Sequence, residues 1–434
     1  MAYIALILFA SIFILILYGY PVAFTLGGIS VLYAFIFLEP SDFGALPPRI
    51  MGVMNNYVLL AVPLFVFMGI MLERSGIAKG LLETMAILFG KVRGGLAISV
   101  VIVGSLLAAS TGIVGATVIT MGLISLPTML KRGYQPELAA GTIAASGTLG
   151  QIIPPSVVLV LLGSVLNVSV GKLFAAALVP GILLVLVYIG YILFIAKIRP
   201  QWAPAIDSTE IEKFKENGFY LKLLKAFFLP FMLIILVLGS IFFGLASPTE
   251  AAALGALGAT CLTLFQKRLS LKILGEVMMT TTHLTSMVFF ILIGATTFSF
   301  VFRELGGDSF LVQLIQEAQI SPNVFLLLVM VVVFIAGFFI DFIEIIFIIV
   351  PVVAPIFIAL DIDLIWVGIL LAINLQTSFL TPPFGFSLFY LRGVAPPEVT
   401  TKHLYKGILP YILIQLLFLI LIVVFPEIIY VFIN

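Results

Sequence analysis

Long apolar runs separated by short polar islands set the pattern of this chain. Runs of helical length cover 2–18, 21–38, 57–72, 95–130, 138–165, 173–196, 226–246, 249–265, 273–301, 323–359, 364–391 and 407–431. Crossing a bilayer as a helix takes about 20 mostly apolar residues, so the pattern predicts an all-α polytopic membrane protein. Membrane β-barrels are excluded, because their strands alternate apolar and polar positions over about ten residues. The charges collect between the runs. Residues 73–93 (Glu73, Arg74, Lys79, Glu83, Lys91, Arg93) read as an amphipathic arm at the interface. The one extended polar segment, 197–225, carries six Lys or Arg residues and is cytoplasmic by the positive-inside rule. It also divides the chain into halves.

The halves are related. Gly147-Thr148-Leu149-Gly150-Gln151-Ile152-Ile153-Pro154-Pro155-Ser156 aligns with Leu375-Gln376-Thr377-Ser378-Phe379-Leu380-Thr381-Pro382-Pro383-Phe384 at an offset of 228, where Pro127 also meets Pro355. Glu73-Arg74-Ser75-Gly76 meets Arg303-Glu304-Leu305-Gly306 at an offset of 230. Three ordered matches at nearly one spacing indicate a duplicated unit. Charge orients the copies. Segment 73–93 has four Lys or Arg residues against Arg303 alone in 303–321, and Lys131-Arg132 has no basic counterpart. After the double prolines the bias reverses: Lys172 stands alone, while 391–406 carries Arg392, Lys402 and Lys406. Equivalent loops therefore face opposite sides, the mark of an inverted-topology repeat such as secondary transporters use. The runs 95–130 and 323–359 each begin and end in loops of matching charge character. Two full spans and a turn would take about 40 or more residues, so a re-entrant helical hairpin fits each better.

Composition sharpens the class. Of 434 residues, 62% are hydrophobic and 9% charged, with 39 Phe and 37 Gly; a soluble domain carries about 25% charged residues. The net charge of +1 points away from a nucleic-acid partner. Cys261 is the one cysteine, so neither a disulfide framework nor a cysteine-built metal site is expected. The first basic residue is Arg49, and without a basic n-region no cleaved signal peptide is expected.

Two constellations could carry chemistry. The first is the middle of the long runs: Ala109-Ser110-Thr111-Gly112 in one, Asp341 and Glu344 in the other. A carboxylate at the bilayer centre costs at least ~2.5 kcal/mol, so Asp341 reads as a cation or coupling group. The plainer alternative is that either carboxyl is protonated or pairs with a neighbouring helix. The second is the pair of double prolines, Pro154-Pro155 and Pro382-Pro383, which should break their spans near mid-membrane. Freed carbonyls with Ser146, Gly147, Thr148, Asn374, Thr377, Ser378 and Thr381 nearby would make an oxygen-only cage suited to an alkali cation. A kink packed on small residues is the plainer reading of either break. Ser247-Pro248-Thr249-Glu250 reads as a helix start. His283, His403 and Cys261 read as structural, and no phosphate-binding loop exists for direct ATP drive.

With these motifs in view, the sequence resembles the large membrane subunit of tripartite ATP-independent periplasmic (TRAP) transporters. The resemblance rests on Gly19 to Phe24, Ala61 to Gly69, Leu126-Pro127 with Lys131 to Tyr134, Ala145 to Ser156, Thr249 to Ala253, and Asn374 to Gly385. It implies an elevator fold with scaffold and transport domains, not an enzyme. The expected division gives 1–94 to scaffold spans and arm, and 173–322 to scaffold with loop 197–225 and a second arm. The transport domain would take 95–172 (hairpin 95–130, broken helix 138–165) and 323–392 (hairpin 323–359, broken helix 364–391), leaving 393–434 as a last span. The resemblance also implies Na⁺ as coupling ion with no organic cofactor. One Na⁺ site would hold Ser110, Thr111, Gly112, Ser146, Gly147 and Thr148; a second would hold Gly337, Asp341, Asn374, Thr377 and Thr381. Cargo would lie between the tips, near Ser110, Thr111, Gly150, Pro154, Ser156, Asp341, Glu344, Ser378 and Pro382. The implied partners are a separate small four-helix membrane subunit and a periplasmic binding protein, at the bacterial inner membrane. Many relatives have a more Ser-rich first tip than Ile113-Val114-Gly115, which disfavours a polyol such as sialic acid and favours small 2-oxo or hydroxy acids. Three alternatives stay open: a stand-alone anion symporter of similar fold, proton coupling through Asp341 and Glu344, and a channel.

Overall fold

The computed structural model describes residues 2–112, 114–206, 212 and 223–433, and among them every regular element is a helix. Ile113 and most of the basic segment lie outside the described residues. The chain opens with α1 (Ala2–Leu17), α2 (Val22–Phe37) and the short α3 (Leu46–Met54). Then come α4 (Ala61–Arg74) and α5 (Ile77–Leu88), the amphipathic arm. A pair, α6 (Gly95–Thr111) and α7 (Val114–Lys131), precedes α8 (Pro136–Thr148), α9 (Val157–Leu166) and the 29-residue α10 (Val170–Ile198).

Beyond the basic segment lie α11 (Leu229–Phe242), α12 (Pro248–Phe265), the 34-residue α13 (Leu271–Glu304) and a second arm, α14 (Gly307–Glu317). Then follow α15 (Pro322–Ala336), α16 (Phe342–Ile348), α17 (Val350–Ala359), α18 (Leu364–Leu380), α19 (Phe386–Val394), α20 (Thr401–Val424) and α21 (Glu427–Tyr430). One order therefore occurs twice: long helix, arm, returning pair, interrupted helix, long helix. Pro127 lies inside α7 and Pro355 inside α17, on the return arm of each pair.

Both long runs double back as hairpins. The Leu96 amide at the start of α6 donates to the Tyr134 hydroxyl just past α7, at 3.3 Å. Entry and exit therefore share one side. In the second hairpin Phe325, near the start of α15, meets Phe357, near the end of α17, with ring centroids 5.1 Å apart. Its return arm is itself bent by 50° between α16 and α17. Both double prolines interrupt their spans, between Thr148 and Val157 and between Leu380 and Phe386, and each Pro–Pro bond is cis. At Ser247 the expected start of α12 is a capping box: the Glu250 carboxylate accepts the Ser247 amide at 2.7 Å. His403, which had no partner in local sequence, serves as the third residue of another, accepting the Thr400 amide at 3.3 Å.

Two packing groups emerge. In the first, α2 lies on α13, α4 on α12 and α13, and α11 on α12. In the second, α8 packs against α6, α7 and α20, while α18 packs against α15, α20 and α10. The copies also interlock. The far half of the second broken helix, α19, lies on α7, and the far half of the first, α9, lies on α16 and α17. Each hairpin is thus braced by the other copy's broken helix.

Helices in lipid associate through close packing and interhelical hydrogen bonds. The α8–α20 seam is an extreme case, because a Cβ on Gly141 would fall 2.1 Å from the Gly407 carbonyl oxygen and one on Gly407 would fall 2.0 Å from that of Glu137. Beside it, the Thr142 and Tyr411 hydroxyls share a hydrogen bond of 2.7 Å, and Tyr188 meets Tyr411 edge-on. Backbone atoms form both walls at Gly141, so no side chain can yield to an added methyl. Gly141→Ala should lower stability by about 1–3 kcal/mol, the usual range for overpacking. Gly190→Ala on α10, with open space at its Cβ, should not. Thermal unfolding of the two variants in detergent separates them, and equal midpoints would reject this account of the seam.

Candidate functional site: two hairpin tips against two broken helices

The first tip forms because α6 ends in small residues. Gly112 closes it at φ +63°, a left-handed conformation that glycine adopts without strain. Thr111 and Thr117 hydroxyls bond across the turn at 2.8 Å. Contact with α4 is at backbone distance: a Cβ on Gly69 would lie 2.3 Å from Thr111 Cα and 2.4 Å from the Ser110 carbonyl oxygen. The tip also meets the first break, since a Cβ on Gly112 would lie 2.6 Å from Val157 and one on Gly150 would lie 2.1 Å from the Ala108 carbonyl oxygen. Ser110, Thr111, Gly112, Gly150 and the start of α9 are therefore one junction.

Ser146 and Gly147 are not at the tip. A Cβ on Gly104 would fall 2.5 Å from Ser146 Oγ, eight residues and about 12 Å along α6 from Gly112. A Cβ on Gly147 would meet Val118 of α7 at 2.3 Å. The Ser146 and Thr148 hydroxyls donate to their own helix, to the Ile143 and Ala145 carbonyls at 3.0 Å each. Ser156, expected beside cargo, straps the break and donates to the Gln151 carbonyl at 2.9 Å. It and Pro154 are both buried.

The second junction uses the same device one turn nearer its tip. A Cβ on Gly337 would lie 2.1 Å from Ser378 Oγ. Asn374 commits its amide nitrogen to the Met330 carbonyl at 2.7 Å, tying α18 to the hairpin. Thr377, Ser378 and Thr381 donate to the Ile373, Leu375 and Thr377 carbonyls at 2.8 Å. Ser387 straps this break, donating to the Phe379 carbonyl at 3.1 Å. Around Pro382, Phe339 of the tip meets Phe384 with centroids 5.2 Å apart.

Asp341 does not share a helical face with Glu344; it caps the helix that Glu344 belongs to. Its carboxylate accepts the Phe342 amide at 2.7 Å, and Glu344 Oε2 accepts the Asp341 amide at 3.1 Å. This capping box accounts for one oxygen of each carboxyl without a cation. It also aims the positive end of α16 at the tip.

Residues 9–428 match the family described as Tripartite ATP-independent periplasmic transporter, DctM component. The chain belongs to this family. It is 33% identical over 402 residues to the C4-dicarboxylate TRAP transporter large permease protein DctM of Pseudomonas aeruginosa, covering 92% of each chain. With the sialic acid TRAP transporter large permease protein SiaM of Vibrio cholerae it shares 30% identity over 413 residues, covering 94% of this chain and 93% of the other. The crystal structure of the Alcanivorax borkumensis YdaH transporter has the same fold at 17% identity, with a TM-score of 0.62 over 90% of each chain. This TRAP large permease is accordingly a multi-pass membrane transport protein.

Two site residues escaped sequence reasoning. Tyr390 of α19 reaches the first tip, where a Cβ on Gly115 would come within 2.8 Å of its ring. It joins the far half of the second broken helix to the first hairpin. Gln151, in the first break, is 0% exposed, and neither atom of its side-chain amide has a hydrogen-bond partner. Leaving a buried polar group unsatisfied costs about 1–3 kcal/mol, so packing alone does not account for this amide. Gln151→Met should raise the unfolding midpoint of the ligand-free protein and at the same time reduce transport. An unchanged or lowered midpoint would show that the amide is satisfied within the fold.

Proposed function

We propose that this chain is the sodium-coupled translocating subunit for uptake of a small organic carboxylate across the bacterial inner membrane. The observation that carries the reading is the pair of buried junctions, each pressing a hairpin tip onto non-helical, carbonyl-rich backbone. Ser110, Thr111, Ser378 and Thr377 are all at most 1% exposed. Hydroxyl and carbonyl oxygens suit an alkali cation, and freed backbone at this depth needs an internal partner. Na⁺ at the junctions would draw each tip onto its break, with Asp341 and the start of α16 completing the second site. A carboxylate binding between the ordered tips would favour the Na⁺-loaded state, and that differential affinity is the coupling.

The packing supports a moving body larger than 95–172 and 323–392. Because α10 and α20 lie against α18 and α8, we infer that they travel with the hairpins. The helices α2, α4, α11, α12 and α13 would stay as scaffold, and the arms α5 and α14 would connect the two bodies. A binding protein would deliver the cargo, and a separate small membrane subunit would brace the scaffold. The dicarboxylate relative and the Ile113-Val114-Gly115 tip together favour a small acid over a sugar acid.

Reconstitution with both partners should give uptake that needs an inward Na⁺ gradient. Equal uptake without the gradient would remove the coupling, and uptake by the chain alone would turn the reading toward a stand-alone symporter. Asp341→Asn isolates the charge, because Asn caps a helix about as well as Asp. Stability should stay within about 0.5 kcal/mol while Na⁺-driven uptake falls at least tenfold. Wild-type uptake in this variant would confine Asp341 to its capping role.

A further inference from the structure

A cavity of about 280 Å³ lies apart from the junctions, between α3, α13, the end of α9 and the second hairpin. Its polar walls include Arg49, Asn56, Ser164, Asn167, Ser299 and Arg303, and among the described residues no Asp or Glu lines it. The side of the membrane follows from helix length. Asn167 lies just before α10, whose 29 residues end at Ile198 beside the basic segment. That helix is about 43 Å long, so the cavity opens on the face opposite the basic segment, the periplasmic one.

Both arginines hold partners outside the cavity wall. Arg303 Nε reaches Asp308 at 3.0 Å, and Arg49 Nη2 reaches Glu304 only at 3.9 Å. Arg49 also lies over the Phe300 ring at 5.0 Å. A guanidinium has five N–H donors, and one carboxylate engages at most two. Donors remain for a second anion, and the Asn and Ser side chains add neutral ones. The cytoplasmic cleft between α5 and α7 differs, since Glu83 stands there among Lys79 and Arg132. Of these two cavities, the periplasmic one alone has an all-positive wall.

One wall belongs to the scaffold helix α13, the other to the hairpin through Phe347 and Pro351. Phe347 is six residues from Asp341, about 9 Å along the return arm. An anion here would rest one to two turns outside the second tip, touching both bodies.

We infer that this cavity is a receiving site for the carboxylate group of the cargo, held between Arg49 and Arg303 before the second hairpin admits it. This rests on the uptake of an organic anion proposed above. A focused positive field would raise the local anion concentration and the rate of entry.

The field can be read without transport. In a Cys261→Ala background in vesicles, Ser299→Cys is modified with methanethiosulfonate reagents of opposite charge and similar size. The anionic reagent should react at least ~10-fold faster than the cationic one, and succinate should slow it. Adding Arg49→Gln and Arg303→Gln should abolish or reverse this preference, because Glu304 and Asp308 are then left without their cations. Equal rates in the parent, a preference that survives both substitutions, or no protection by succinate would each overturn the receiving site. Loss of Na⁺-dependent uptake in the same vesicles with these labelling results intact would instead overturn the proposed coupling.

Discussion

A peptide group released from a helix inside hydrocarbon has no water to turn to, and every unusual feature of this protein follows from that. Two spans are broken at double prolines, and the tips of two hairpins pack against these breaks. Each defect therefore serves as the other's partner. The contacts are close, through Gly112 and Gly150 at the first junction and Gly337 at the second, while Gly69 of α4 also meets the first tip. Side-chain straps from Ser156 and Ser387 close the breaks along the chain. Backbone that would be intolerable facing lipid becomes a buried, oxygen-lined seam.

The bracing between copies explains how such seams are held in register. The far half of each broken helix lies on the other copy's return arm, α19 on α7 and α9 on α16. A shift of one hairpin is felt through the opposite break. Tyr390 is the most direct expression of this, standing on α19 yet reaching Gly115 of the first tip.

Much of this was legible in the sequence. The apolar runs marked the spans, the matched motifs marked the duplication, and run length together with the charge of the flanking loops favoured a hairpin over two full crossings. Proline chemistry placed both breaks, and Ser247 with Glu250 placed a helix start. Contacts between residues far apart in sequence were not legible. Ser146 sits at the right position in its motif, yet it packs against Gly104 instead of the tip, because hairpin and broken helix meet along their whole length. Asn374, expected beside a cation, also ties α18 to the hairpin through its amide nitrogen and the Met330 carbonyl. Glycines carry no side-chain signal of what presses on them. The isolation of Gln151 is likewise a property of its surroundings and not of its type.

In the proposed mechanism Asp341 would satisfy a structural and a chemical demand together. As an N-cap it orders the first turn of α16, and its backbone amide is taken by Glu344. A capping carboxylate uses one oxygen on the helix and keeps lone pairs facing the turn before it. Here that turn is the hairpin tip. In the proposed site, the helix N-terminus that stabilises the carboxylate would also favour an anion beside the cation instead of a second cation. A cation on the free oxygen and a carboxylate near the helix end would each offset the other's charge. Neither would be well placed in the low-dielectric interior alone. Obligatory joint occupancy, and with it the proposed coupling, would follow from the geometry of a single capped helix set deep in the membrane.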